Sequence, residues 1–230
     1  MNVLSLTRCY SILLFCFLIS LPAIGRQSST RPLIGISAGM GVSANSAPSI
    51  VDYVNAVAQP PFDQRADEFS AATEFFVVPE YQISDEWSIA VDYSYHLKSY
   101  GFDSQSGAGR MEFTHSVHMP MVVVHYLIPG QGYWLKVGGG VGYHVGSFTE
   151  SFLGVGQETT LRATGFGTKL EAVGNTVFDD HFYGSIGLDL RWVFGSTFKT
   201  PSGQTKSYLN FTPQMSFFSV GLKFGVMVLF

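Results

Sequence analysis

Cysteine is nearly absent from this 230-residue chain, and the two present, Cys9 and Cys16, lie close together near its start. Charge is scarce as well, at 13% of residues against about 25% in an ordinary soluble domain. No basic run occurs and the formal net charge is −4, so the electrostatic footprint of nucleic-acid binding is missing. Past the N-terminus there is also no clean apolar run of about 18 residues, the length a membrane helix needs. The longest stretch without Asp, Glu, Lys or Arg, Phe113 to Leu135, holds three histidines and the breaker Pro129-Gly130-Gln131-Gly132. What the chain does have is apolar and aromatic: 46% hydrophobic residues, 15% aromatics and 25 glycines. That is too much apolar surface for a disordered polypeptide.

The first 25 residues read as an address. One basic residue, Arg8, precedes the apolar block Ser11 to Leu21, and the small-residue site Ala23-Ile24-Gly25 follows Pro22. Basic start, short apolar core and small residues at a cut site make a secretory signal peptide. The block is short for a membrane anchor, and Phe15 directly before Cys16 argues against a lipoprotein site. Cleavage after Gly25 would remove both cysteines and leave 12 basic and 17 acidic residues, a net charge of −5. The expected mature domain, 26–230, is exported yet has no disulfide, no thiolate metal site and no cysteine nucleophile.

From Leu33 onward the dominant signal is period-two alternation, which sends successive side chains to opposite faces of a strand. Eight segments carry it. In the first, Ile34, Ile36, Ala38, Met40 and Val42 oppose glycines and serines; in the third, Trp87, Ile89, Val91, Tyr93, Tyr95 and Leu97 oppose Ser88, Ala90, Asp92, Ser94, His96 and Lys98. The fourth, about Phe113 to Ile128, is apolar on both faces and its phase is ambiguous. The last sets Val220, Leu222, Phe224, Val226, Val228 and Phe230 against Ser219, Gly221, Lys223 and Gly225. Connections alternate between long (about 44–70, 99–112, 147–159 and 195–211) and short (84–86, 129–132 and about 175–180). This pattern predicts an all-β fold, an eight-stranded antiparallel up-and-down barrel.

Alternation does not say which face points inward. The polar face is mostly Gly, Ser and Ala, too poor in charge for a soluble surface, and the apolar face is crowded with rings that an eight-stranded barrel interior cannot hold. Trp87, Tyr133, Phe182 and Phe230 fall near the short-turn ends of that face, and Tyr95, Tyr143 and Phe194 near its long-loop ends. Two aromatic girdles around an apolar band are the mark of a transmembrane barrel.

At this point the sequence resembles a family. The signal peptide, the four long and three short connections, and the ending Val226-Met227-Val228-Leu229-Phe230 resemble the small eight-stranded bacterial outer-membrane β-barrels of the OmpA and OmpW type. The resemblance is architectural and covers the mature chain. It implies a bacterial outer-membrane location, contact with outer-membrane lipid, and assembly by the barrel-assembly machinery through the last strand, with Phe230 as signal. It implies no substrate.

With the polar face inward, the lumen would gather Glu74, Glu80, Asp92, Glu171 and Asp189 with Lys98, Lys136, Lys169, Arg191 and Lys223. Isolated charges in so narrow a space are costly, so a paired network is expected. The other reading is a gated polar path in which a pair, for example Asp189 with a lysine on a neighbouring strand, exchanges partners to admit ions, with passage of a small solute as the wider expectation. The sequence points to no catalytic residue, no cofactor and no metal. His115 and His125 share a face but stand ten residues apart, about 33 Å along a strand; His118 would meet His96 if its phase were inward. None of the six histidines is followed by a serine two positions later, the His-x-Ser pair of outer-membrane lipid A deacylases. In the first long connection Ser49 and Asp52 form an approximate capping box, and Ile50, Tyr53, Val54 and Val57 recur at helical spacing, so a short amphipathic helix could lie over the barrel mouth as a lid or an apolar ligand contact; the other reading is a loop that packs on its own barrel. The functional expectation is a non-enzymatic outer-membrane barrel with a structural, permeation or small-molecule-binding role. Loop-mediated adhesion and lipid-modifying catalysis are the alternatives.

Overall fold

The computed structural model describes residues 34–58, 65–67, 70–104, 109–153, 156–179 and 181–230. The leader read from residues 1–25, and its cut site, lie outside them. Eight strands form one closed antiparallel barrel in sequence order: β1 Ile34–Ser46, β2 Ser70–Gln82, β3 Trp87–Asp103, β4 Arg110–Pro129, β5 Tyr133–Leu153, β6 Gln157–Val177, β7 Phe182–Gly195 and β8 Phe217–Leu229. The seam pairs β1 with β8 from Gly35↔Leu229 to Ser46↔Phe218, and the Phe230 N–H adds a bond to the Ile34 carbonyl at 2.9 Å. Closure leaves no unpaired edge, the condition for strands to cross lipid.

The apolar face points outward. Ile34, Ile36, Met40 and Val42 of β1 and Leu222, Phe224 and Val226 of β8 are exposed, while Ser37, Ser43, Ser219 and Lys223 are buried. Trp87, Tyr126 and Phe182 ring the short-turn end of the band. At the other end the pairs Tyr95↔His118, Tyr143↔Phe166 and Phe166↔Phe194 form a second ring. Trp87 and Tyr95 are eight residues apart, which in a tilted strand gives a band about 20 Å tall. This is a transmembrane β-barrel.

Two expected loops are strand instead. The stretches read as connections 99–112 and 147–159 are largely continuations of β3, β4, β5 and β6, which run on to Asp103, Arg110, Leu153 and Gln157. These four strands form a wall that rises past the girdle, while β7, β8, β1 and β2 stop near it. On the wall the alternation keeps its period and reverses its sign. Outward positions become polar, with Ser99 bonded to Thr114, Ser116 to Ser147 and Thr149 to Thr160 at 2.8–3.1 Å. Inward positions become apolar: Phe102, Met111, Phe113, Val117, Phe148 and Leu161 are buried. The ambiguous phase of the fourth segment has this cause, since β4 crosses the point where the apolar face changes sides.

The free apolar side of the wall is covered by the connections of the short half. Helix α1, Pro48–Val57, buries Ile50, Val51, Tyr53, Val54 and Ala56. Phe198 and Met215, from the connection between β7 and β8, complete the cluster with Phe217. A ten-residue helix is marginal in water, so packing against the wall holds it. The expected capping box does not form: Ala47 is the N-cap, Pro48 occupies the first turn, and the Ser49 hydroxyl donates to the Gln214 carbonyl at 3.2 Å.

Candidate functional site

The lumen is filled in three layers. At the short-turn end Trp134 stacks on Tyr183 with ring centres 4.7 Å apart, beside Met227 and Leu229. Above them lies a continuous charge network. Lys136 donates to Glu80 at 2.5 Å, and the His125 ring lies between Glu80, 3.5 Å from Nδ1, and Glu171, 2.7 Å from Nε2. Lys169 joins Glu171, at 2.8 Å, to Asp92. Lys223 stands 3.1–3.4 Å from Glu74, Asp92 and Asp189. Arg191 closes the chain with a two-pronged bond to Glu74, at 2.7 and 2.8 Å, and a third to Asp189 at 2.8 Å.

Every one of these side chains is at most 7% exposed. Nine of the ten charged residues named from the sequence are brought together here. The tenth, Lys98, is not in the network: although its phase is inward, it stands at the rim, donates to the Ala71 carbonyl at 2.7 Å and lies over the Tyr100 ring. Strand β3 has risen past the polar layer by residue 98, so its ammonium reaches water rather than the interior. His125 takes the vacated place between two carboxylates, where a doubly protonated ring would bring the balance to five against five.

The third layer is the apolar plug of α1 and the wall. One polar latch crosses it. The Tyr53 hydroxyl donates to Glu150 Oε1 at 2.7 Å, and Lys206 reaches the other oxygen of the same carboxylate. Burial and the adjoining carboxylate push the Tyr53 hydroxyl well above the usual phenol range.

The other histidines sit in different surroundings. His118 faces outward, against the inward phase needed to reach His96, and its Nδ1 lies 2.7 Å from the Tyr93 hydroxyl within the girdle. The reversal of the apolar face along β4 explains why its phase was hidden. His115 is buried in the plug against the rings of Phe198 and Phe217; burial pushes it down to about 3. His144 is fully buried, and its ring nitrogens meet no side-chain hydrogen-bond partner among the described residues. Its Nε2 lies where a Cβ on Gly167 would stand, so that inward glycine is needed to seat the ring.

One arrangement was not legible in the sequence. Ser43 on β1 and His96 on β3, 53 residues apart, meet in the lumen with Oγ 2.9 Å from Nε2. A serine beside a histidine is the start of a hydrolytic site, but this one lacks the rest. Asn45 lies 3.0 Å from the same ring nitrogen, Nδ1 meets no partner among the described residues to orient it, and the imidazole is stacked on Phe217. The geometry suits a ring held in place by two polar neighbours.

No family model matches this chain, and no curated protein matches it by sequence. Its likeness is to solved structures. Neisserial surface protein A superposes with a TM-score of 0.50 at 12% identity, covering 86% of this chain and 97% of that one. Ail, the attachment invasion locus protein of Yersinia pestis, gives 0.51 at 11% identity, covering 87% and 100%. At such identities the likeness is one of fold: the chain has the fold of the small eight-stranded outer-membrane barrels.

Proposed function

We propose that this chain is a closed, non-enzymatic barrel of the bacterial outer membrane whose working surface is the wall and connections beyond the outer girdle, serving as a structural or loop-mediated binding protein. The observation that carries this reading is the filled lumen. An ion crossing it would have to displace α1 and its apolar partners, separate buried pairs that share carboxylates, and pass the Trp134–Tyr183 stack. Each buried pair broken leaves an uncompensated charge, at a cost of about 3–5 kcal/mol, which favours the structural or binding role over permeation.

In this reading the short turns face the periplasm and the long connections face outward, as in other outer-membrane barrels. The leader directs export, and β8 with Phe230 is the strand that the assembly machinery engages. Membrane lipid is the surrounding partner.

Planar-bilayer recording from the refolded mature protein, with an Asp189→Asn variant beside it, tests the proposal. A silent membrane is expected for the wild type once insertion has been verified by protease protection. Discrete steps from the wild type that change with the substitution would overturn the closed-lumen reading and make the charge network a gate.

A further inference from the structure

Beyond the girdle, the connection after β7 adds two backbone hydrogen bonds to β6. The Arg162 N–H donates to the Lys199 carbonyl at 2.8 Å, and the Lys199 N–H donates back to Arg162 at 2.9 Å. Residues opposed in this way share a face with their Cβ atoms about 5.5 Å apart, and like charges in that position destabilise the pair. Both side chains are exposed on the outer face. Among the described residues neither makes an ion pair. Ser147 opposes Arg162 on its other side and Thr205 opposes Lys199, so two cations stand in a row flanked by two hydroxyl residues. The outward acid on the same strand, Glu158, is four residues farther from the membrane.

The row has a definite height. Arg162 lies four residues beyond Phe166, whose ring belongs to the girdle. In a tilted strand this is about 10 Å above the ring, at the polar layer of the membrane, and both long side chains can bend back toward it. Below, on the same face of the same strand, a shallow apolar groove is walled by Val124, Val141, Thr168, Leu170 and Trp192, with Gly139 at its floor.

We infer that this face binds one membrane lipid with a phosphorylated headgroup, its phosphate held by Arg162 and Lys199 and an acyl chain lying in the groove beneath. Charge complementarity selects this occupant: two adjacent cations that form no ion pair among the described residues stand above an apolar channel on a surface that faces lipid. The opposed cations, unfavourable alone, become favourable around one anion. The inference rests on the membrane-spanning reading of the barrel and adds a specific lipid to it.

Native mass spectrometry of the refolded full mature chain in detergent tests it, with phosphatidic acid and phosphatidylcholine of matched acyl chains as competing probes. The wild type is expected to retain phosphatidic acid over phosphatidylcholine by about tenfold or more, given the attraction of two cations at a membrane surface. The double variant Arg162→Ala with Lys199→Ala should lose that preference, and Arg162→Lys with Lys199→Arg should keep most of it. Arg110→Ala, which removes an exposed cation elsewhere on the wall, should leave the preference unchanged. Excess inorganic phosphate should displace little bound lipid, because it cannot fill the groove. Equal retention of both lipids by the wild type, full displacement by free phosphate, or a dimer that covers this face and excludes lipid would each overturn the proposal. Heat-shifted electrophoretic mobility of the same samples reports barrel formation, so failure of the lipid site is separable from failure of the barrel reading.

Discussion

Strands β3 to β6 run from below the outer girdle to above it with the same two-residue period, yet their apolar faces point in opposite directions on its two sides. On β4, Val122, Val124 and Tyr126 face lipid while His125 and Met121 face the lumen; a few residues on, Thr114 and Glu112 face water while Phe113 and Met111 face α1. Alternation reports which side of a strand meets an apolar environment. It does not report which side is inside. In the membrane that environment is lipid, and above it the only apolar environment available is the protein's own helix and loop.

The two halves are held by different forces, and breaking them separately should show it. The largest effect is expected from Arg191→Met in the membrane half. Among the described residues Glu74 and Asp189 would keep Lys223 as their one cation, at a cost of about 3–5 kcal/mol, read as a lower midpoint in denaturant unfolding of the refolded protein in micelles. A shift under about 1 kcal/mol would mean that the network contributes little beyond filling space.

In the upper half Phe148→Ala should cost about 3 kcal/mol. The loss should be local, seen as faster amide exchange in α1 with the membrane segments unchanged. Equal acceleration in both halves would show that the plug and the barrel open as one unit.

Acid should act on the upper half through His115. Its ring is pushed down to about 3 from an ordinary value of 6.5, chiefly by burial and then by the neighbouring His96, and Lys98 opposes it across the ladder. The opened plug binds a proton near the ordinary value and the packed plug does not. Packing is therefore at full strength above pH 6.5 and weakens as pH falls toward 3, by up to about 1.4 kcal/mol per unit. Exchange of the α1 amides compared at about pH 7 and about pH 5 should show a loss of about 2 kcal/mol from this ring, and His115→Leu should reduce the dependence by that share. The smallest effect is expected from Ser116→Ala on the outer face of the wall, within about 0.5 kcal/mol by the same exchange measurement; a larger loss would show that the hydroxyl ladder holds the wall upright.

Much of the barrel was legible because its cues are local. The strand count, the outward apolar face and the ring positions of Trp87, Tyr143 and Phe194 follow from alternation and from lipid as the outer solvent. Nine of ten lumen charges follow from phase alone. Lys98 did not, because phase carries no height: the same inward parity ends at a rim where water is within reach. His118 was hidden by the reversal on β4. The Ser49–Asp52 cap failed because Pro48 suits the first turn and Ser49 found a partner on the connection to β8, far along the chain.

By itself the sequence determined that eight strands would alternate and close, since period two is a property of consecutive residues and a lipid-facing sheet tolerates no open edge. Tertiary structure alone decided that the wall would outgrow the membrane and that α1 would plug it. It also set which carboxylate each cation meets and placed Arg162 beside Lys199, because these depend on register between strands and on chain segments that return from far away.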